Sequence, residues 1–330
     1  MKKSYCFSGH ALSCRLALYS GVLIFAAAGS AQGLNPLQVA LHRWYAANTS
    51  AQFTVGGPGT DLQHVAFDGS SIWVLGDSTV SGNGFLTKLR ASDGSNLGMF
   101  SAPPFPSGLA FDGANIWVAS STNNSVAKIR ASDGTTLGTF SVGKNPDAVE
   151  FDGANIWVAN ANGNTVTKLR ASDGTNLGTF NVGNVPYAVV FDGSSIWVAN
   201  SNDNTVTKLN ASDGSNLGTF AVGSEPVAIA FDGTNIWVAN FQGNNVTELL
   251  ASDGSNLGTF AVGNGPFGVA FDGTNIWVTN RSGTTVTKLL GADGTNLGDF
   301  PAGNCPWGIA FDGANIWVAD SCASTTVTKM

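Results

Sequence analysis

Residues 146–182 carry the pattern that decides the fold. They run Pro146-Asp-Ala-Val-Glu-Phe151, Asp152-Gly153, Asn155-Ile-Trp-Val-Ala-Asn160, then Asn164-Thr-Val-Thr-Lys-Leu-Arg170, Asp173-Gly174 and Leu177-Gly-Thr-Phe-Asn-Val182. The short runs are filled with Val, Ile, Thr, Trp and Phe, which suit a pleated, half-buried strand. Between them stands Asp-Gly, a hairpin signal, because a tight turn needs positive φ and glycine supplies it without strain. The segment reads as four antiparallel strands, with no helical 3.6-residue period.

The same segment recurs along the chain. Phe-Asp-Gly begins at 67, 111, 151, 191, 231, 271 and 311, spaced by 44 residues once and by 40 thereafter. A Trp-Val pair follows each copy, from Trp73 to Trp317, and Ala-Ser-Asp-Gly at 91, 131, 171, 211 and 251 becomes Gly-Ala-Asp-Gly at 291. Four strands per ~40–45 residues is the length of a propeller blade. The last copy stops at Met330 after its third strand, and Ala51-Gln-Phe-Thr-Val-Gly56 matches the missing fourth. An N-terminal strand completing the last blade is what a closed ring requires and an open solenoid does not. The expectation is an all-β chain: a seven-bladed β-propeller of four antiparallel strands per blade over 51–330. The seven Trp residues are expected between blades, since a lone blade buries neither face.

Upstream, Lys2, Lys3 and Arg15 precede an apolar run from Leu16 to Ala28, then Gly29-Ser30-Ala31. That order predicts a secretory signal peptide over 1–31 and an exported chain, periplasmic, extracellular or at the cell surface. The run is short of the ~20 residues of a spanning helix, so no membrane span is expected after signal removal. Residues 32–50 form a pre-ring segment with an expected short helix at Asn35–Ala47, Leu37, Leu41 and Trp44 on one face. Of 15 basic residues three lie in the signal, leaving twelve against 22 acidic and a net charge of −10. Phosphate-backbone binding rests on Lys and Arg, so nucleic acid is not an expected partner.

The run Ile156-Trp-Val-Ala-Asn160 with Asn164-Thr-Val-Thr-Lys-Leu169, and Trp277-Val-Thr-Asn280, resemble the YVTN-type repeats of bacterial and archaeal surface-protein propellers. The copies are also similar to NHL-type and streptogramin-lyase propellers, and the resemblance spans 51–330. It implies a propeller fold, which hosts unrelated activities. In the lyases it would imply a set of histidines with a glutamate and magnesium, and in related amidating lyases a zinc held by several histidines. This chain departs from that pattern: past the signal it has only His42 and His64, and His64 stands where other blades carry Gly108, Ala148 or Ala188. No catalytic residue, metal or cofactor is therefore expected. Glu150 is an acid placed mid-strand in a slot where other copies have Ala or Val.

Loops joining strands one to two and three to four barely change between copies, whereas those on the opposite face differ in every copy. The residue after the inter-blade proline varies most: Ser107, Asp147, Tyr187, Val227, Phe267 and Trp307. These residues should ring the channel mouth. The expected ligand-binding residues are Tyr187, Phe267 and Trp307 as exposed anchors, Phe241 as an outer contact, and Asp147 and Glu225 as rim acids favouring neutral or basic partners. The functional expectation is a monomeric, non-enzymatic binding or scaffold propeller for a protein or carbohydrate. The alternative is a lyase or hydrolase with an atypical site. Cys305 and Cys322, the only cysteines of the mature chain, should form a disulfide in an oxidising compartment.

Overall fold

The computed structural model describes residues 50–322 and 325–330, together with the backbone of two short strands, Ala17–Tyr19 and Val22–Ile24, which pair antiparallel. The rest of the expected signal peptide and the expected helix over Asn35–Ala47 lie outside the described residues. The chain divides into two compact units, Met1–Ala46 and Ala47–Met330.

The second unit is the seven-bladed β-propeller. Blade 1 comprises Thr60–Phe67, Ser71–Ser78, Gly84–Arg90 and Asn96–Ser101 in that order. Blades 2 to 6 repeat it over 106–141, 146–181, 186–221, 226–261 and 266–301. Blade 7 takes three strands from the C-terminus, Pro306–Phe311, Ile316–Asp320 and Thr326–Lys329, and its outermost strand, Ala51–Thr54, from the other end of the ring. Phe53 pairs with Val327 and Gln52 with Thr328. The frame offset seen in the sequence is thus the closure of the ring.

Each Phe-Asp-Gly turn is held by its carboxylate. In blade 3, Asp152 Oδ1 accepts the backbone N–H groups of Ala154 and Asn155 at 2.8 and 2.6 Å. Its Oδ2 accepts Trp157 Nε1 at 2.7 Å. Burial alone would raise the Asp152 pKa, but the indole and the other donors outweigh it and hold it below the ordinary value. Gly153 sits at φ +96° with open space where a Cβ would be, so backbone conformation alone demands glycine there. The aspartates of the repeat therefore do more than turn the chain, since they also satisfy the one polar atom of the buried tryptophans.

Blades pack through that tryptophan. Trp157 is fully buried in a cluster with Val166 of its own blade and Val189, Ile196, Val198 and Leu209 of the next. Phe180 packs against it at a tilt, ring centroids 5.7 Å apart, over the turn glycine of the next blade, Gly214, at φ +75°. Lys168 lies 5.0 Å from the Trp157 ring and donates to the Ala211 and Ser212 carbonyls at 2.7 and 3.1 Å. Lys88, Lys128 and Lys208 reach across their seams in the same way. At the closing seam Lys329 binds the Ala91 and Ser92 carbonyls of blade 1 at 2.8 and 3.0 Å. Blade 5 breaks the series. Glu248 occupies the lysine position, and its loop partner is the altered Gly291-Ala292.

Among the described residues no helix is long and apolar enough to cross a membrane. Cys305 and Cys322 are disulfide-bonded, their Cα atoms 5.7 Å apart.

Candidate functional site

The innermost strand of each blade begins with a bulge. In blade 3 Pro146 pairs with Asn160 and Ala148 with Ala159, which leaves Asp147 without a cross-strand partner. The same slip falls at Ser107, Tyr187 and Val227, and the register of blades 6 and 7 shifts at the same place. In blade 1 Leu62 pairs with Gly76 and His64 with Leu75, so Gln63 is the seventh member. A bulge frees one residue from the ladder and re-aims its side chain. This explains why the position following the proline differs in every blade: strand pairing does not constrain it.

The seven bulged residues converge. Gln63, Ser107, Asp147, Tyr187, Val227, Phe267 and Trp307 line one cavity of 380 Å³ at the channel mouth, with His64 and Asp77 in its wall. The loop behind each bulge is fixed by the preceding blade. Asn124 Oδ1 accepts Asn145 N–H at 2.8 Å, Asn164 accepts Val185 N–H at 3.1 Å, and Asn204 accepts Glu225 N–H at 2.8 Å. Asn145, Val185, Glu225 and Cys305 all hold the left-handed conformation, φ 48–57°. For the β-branched Val185 that is a strained choice, which marks this face as built to a set shape.

The aromatic residues expected at the mouth form one cluster, but their exposure differs from expectation. Phe267 is its centre, 4.4 Å from Trp307, 5.8 Å from Tyr187 and 6.1 Å from Phe241, with the rings edge to face. It is only 6% exposed, because its neighbours cover it on three sides. Phe267 lines the cavity from a buried position, whereas Tyr187 and Trp307, half-buried, are the more exposed rings of the lining. Phe241 stands behind Phe267, outside the cavity lining.

Arg281, from the loop after the second strand of blade 6, stacks on Trp307 at 3.8 Å and lies 4.9 Å from Phe267. Burial lowers its pKa, opposed by Tyr187 and Asp61. Its stacking on the cluster joins residues of two blades and is visible only in three dimensions. Trp307 Nε1 is buried and has no hydrogen-bond partner among the described residues.

The acids occupy the other side. Burial pushes Asp147 up to about 6, and Asn145 Nδ2 lies at 3.4 Å. Asp77, which accepts Gln63 Nε2 at 3.3 Å, is raised by burial and by the Asp61 charge. The Tyr187 hydroxyl is pushed up to about 12 by burial, with Asp147 adding to it, so it is a donor at any physiological pH. Burial drops His64 to about 4 against a hydrogen bond to the Ser107 backbone, leaving its ring neutral near pH 7. Glu150 lies apart, in a 270 Å³ cavity lined by Phe67, Phe111 and Phe151. Burial pushes it up to about 8, against the Phe191 backbone hydrogen bond and helped by Asp152, so it is a neutral acid there.

No protein-family profile matches the chain, and no curated protein matches it. Solved structures do resemble it. A streptogramin B lyase shares 17% identity at a TM-score of 0.71, over 85% of this chain and 96% of that one. The hydrazine synthase of Kuenenia stuttgartiensis follows at 17% and 0.70, over 84% and 97%. U3-55K stands at 13% and 0.71, over 84% and 97%. Three proteins so differently named share the architecture at such low identity that the likeness establishes the propeller fold and nothing finer.

Proposed function

We propose that this chain is an exported, non-enzymatic binding propeller that recognises a carbohydrate or protein through the channel mouth of its variable face. One observation carries the reading: in a ring of near-identical blades, the seven bulged residues all differ and all line one 380 Å³ cavity. That volume falls at the small end of ligand sites, which are concave, largely apolar and fitted with a few placed polar groups. Tyr187 and Trp307 are the anchors, since aromatic side chains carry a disproportionate share of binding energy. Asp147 and Glu225 add polar contacts at the rim.

The test is a glycan array and a secreted-protein screen on residues 32–330. A double variant, Tyr187→Ala with Trp307→Ala, should lose the ligand and keep its melting temperature within a few degrees. Phe267 is left intact, because truncating a buried Phe costs roughly 3–5 kcal/mol and would confuse folding with binding. Ala114→Arg with Ala154→Arg, both on exposed turns of the opposite face, should bind normally. The reverse pattern would place the site on the wrong face. A lyase or hydrolase is the competing reading, and neutral His64 in the cavity wall is the base it would use. Turnover of a bound ligand that disappears in His64→Ala would decide for it.

A further inference from the structure

The mouth is chemically two-sided. Blades 1 and 3 present acceptors, Asp77 and Asp147. Blades 7 and 6 carry donors, Trp307 in the cavity lining and Arg281 stacked on it outside the lining. Among the described residues the Arg281 guanidinium makes no hydrogen bond or salt bridge; it stacks on Trp307 and Phe267, with the charge of Asp61 acting on it. Trp307 Nε1 is the second donor without an acceptor, and it is buried. A guanidinium already fixed by stacking keeps its planar fork with little freedom left to lose, and that fork matches a carboxylate at two points. A buried indole N–H without a partner is costly to keep, and an acceptor arriving from outside removes the cost.

We infer that the mouth takes an acidic saccharide, with the carboxylate of a uronic acid against Arg281 and Trp307 Nε1 and ring hydroxyls donating to Asp77 and Asp147. The inference rests on the binding role proposed above and narrows its ligand. The rim acids taken alone point to neutral or basic partners. A cationic ligand, however, would have to displace or approach the guanidinium that already covers the aromatic face. A ring-borne carboxylate has a second source, an aromatic acid, but such a ligand has no hydroxyl donors for Asp77 and Asp147. The saccharide satisfies both sides, and its C–H faces suit Tyr187 and Trp307.

Calorimetric titration of residues 32–330 tests this with glucuronate and tetragalacturonate, their neutral counterparts glucose and cellotetraose, and phenylacetate. The uronates should bind at least tenfold tighter than the neutral sugars. Arg281→Gln should weaken uronate binding at least tenfold and leave neutral sugars unchanged, and Arg281→Lys, which keeps the charge and loses the fork, should recover only part. Uronates that bind no better than neutral sugars, or equally well to Arg281→Gln, overturn the inference. Phenylacetate binding as tightly as glucuronate overturns the saccharide assignment. Should the array return a neutral ligand whose binding needs Trp307, this inference fails while the site stands. A ligand indifferent to both Tyr187 and Trp307 removes both.

Discussion

The seam between blades 5 and 6 is where a single substitution should strengthen the ring. Elsewhere a lysine lies 4.7–5.2 Å from the tryptophan ring of its own blade. Five of these lysines donate to next-blade carbonyls at 2.6–3.2 Å: Lys88, Lys128, Lys168, Lys208 and Lys329. Glu248 replaces this bridge with a buried carboxylate, 5% exposed, raised above the ordinary value by burial and by the Asp232 charge. Its Oε1 accepts Asn235 Nδ2 at 2.8 Å.

The acceptor side is intact. Gly291 N–H bonds Thr274 O as Ala251 N–H bonds Thr234 O, so the carbonyl at 291 stands where Ala251 offers its own to Lys208. Glu248→Lys should gain a charged hydrogen bond of roughly 1.5–3 kcal/mol and lose one of about 1 kcal/mol from Asn235. A cation–π contact adds about 0.5–2 kcal/mol. Side-chain entropy nearly cancels, since Glu and Lys both lose it on burial. The net gain is about 2 kcal/mol, which at roughly 2–4 °C per kcal/mol for a ring of this size raises the melting temperature by about 4–8 °C.

Glu248→Gln isolates the removal of the charge and should recover the smaller part. The pH dependence has a definite sign. A carboxyl whose folded pKa lies above its unfolded one costs stability above the unfolded value and nothing below it. The benefit of Glu248→Gln should therefore fade on acidification below the ordinary glutamate range, near pH 4.5. That of Glu248→Lys should persist in the part owed to the bridge. Differential scanning calorimetry of the three proteins at pH 4 and pH 7 reads this directly. A Glu248→Lys protein no more stable than Glu248→Gln at pH 7 would refute the bridge.

Three further outcomes are expected. Deleting residues 51–57 strips blade 7 of its outer strand and of Phe53, which stacks on Trp317 at 5.6 Å. The melting transition should fall sharply and dimers should appear on size exclusion, because bare edges pair, whereas an unchanged melt would sink the closure. Replacing Cys305 and Cys322 with serine opens a loop of sequence separation 17, worth roughly 3 kcal/mol in the chain-entropy account. Thiol labelling of the unreduced wild-type protein should find no free thiol at either residue, and two reactive thiols would contradict the bond. His64, lowered to about 4, makes the fold lose stability as pH falls from about 6.5 towards 4, since the unfolded chain takes the proton first. His64→Ala, the residue of blades 3 to 5 at that position, should flatten the melting temperature over that window, and equal slopes would count against a buried neutral ring.

The ring was legible because the repeat is near-exact: one copy defines four strands, seven copies define seven blades, and the frame offset at Ala51–Thr54 defines the closure. The candidate site was legible for the complementary reason, since Tyr187 and Trp307 stand out where other blades carry Ser107 or Val227. Three features escaped. Gln63 was missed because blade 1 has Leu62 in place of the guiding proline. Burial of Phe267 depends on Phe241 and Arg281, which come from loops of different blades. Stacking of Arg281 on Trp307 joins residues 26 positions apart whose juxtaposition no local pattern encodes. The double duty of the Asp-Gly aspartates also went unread, because their role in the turn was explanation enough without the indole.

How a repeat this strict tolerates a variable site follows from where the constraints fall. On the invariant face a single carboxylate such as Asp152 serves the turn and the Trp157 indole together, so most substitutions there break two interactions at once. Across the seam between blades 3 and 4 Phe180 fits against Gly214, which admits no Cβ, and Lys168 against two carbonyls. On the other face the bulge removes one residue per blade from ladder pairing, while the asparagine of the preceding blade fixes the loop behind it. The backbone is held by one residue and the side chain of another is left unconstrained. Seven such positions around one channel give a rigid frame whose lining can change without disturbing a strand pair. The same separation predicts which substitutions matter to what: changes at Asp152 or Gly214 should register as stability, and changes at Tyr187 or Trp307 as binding.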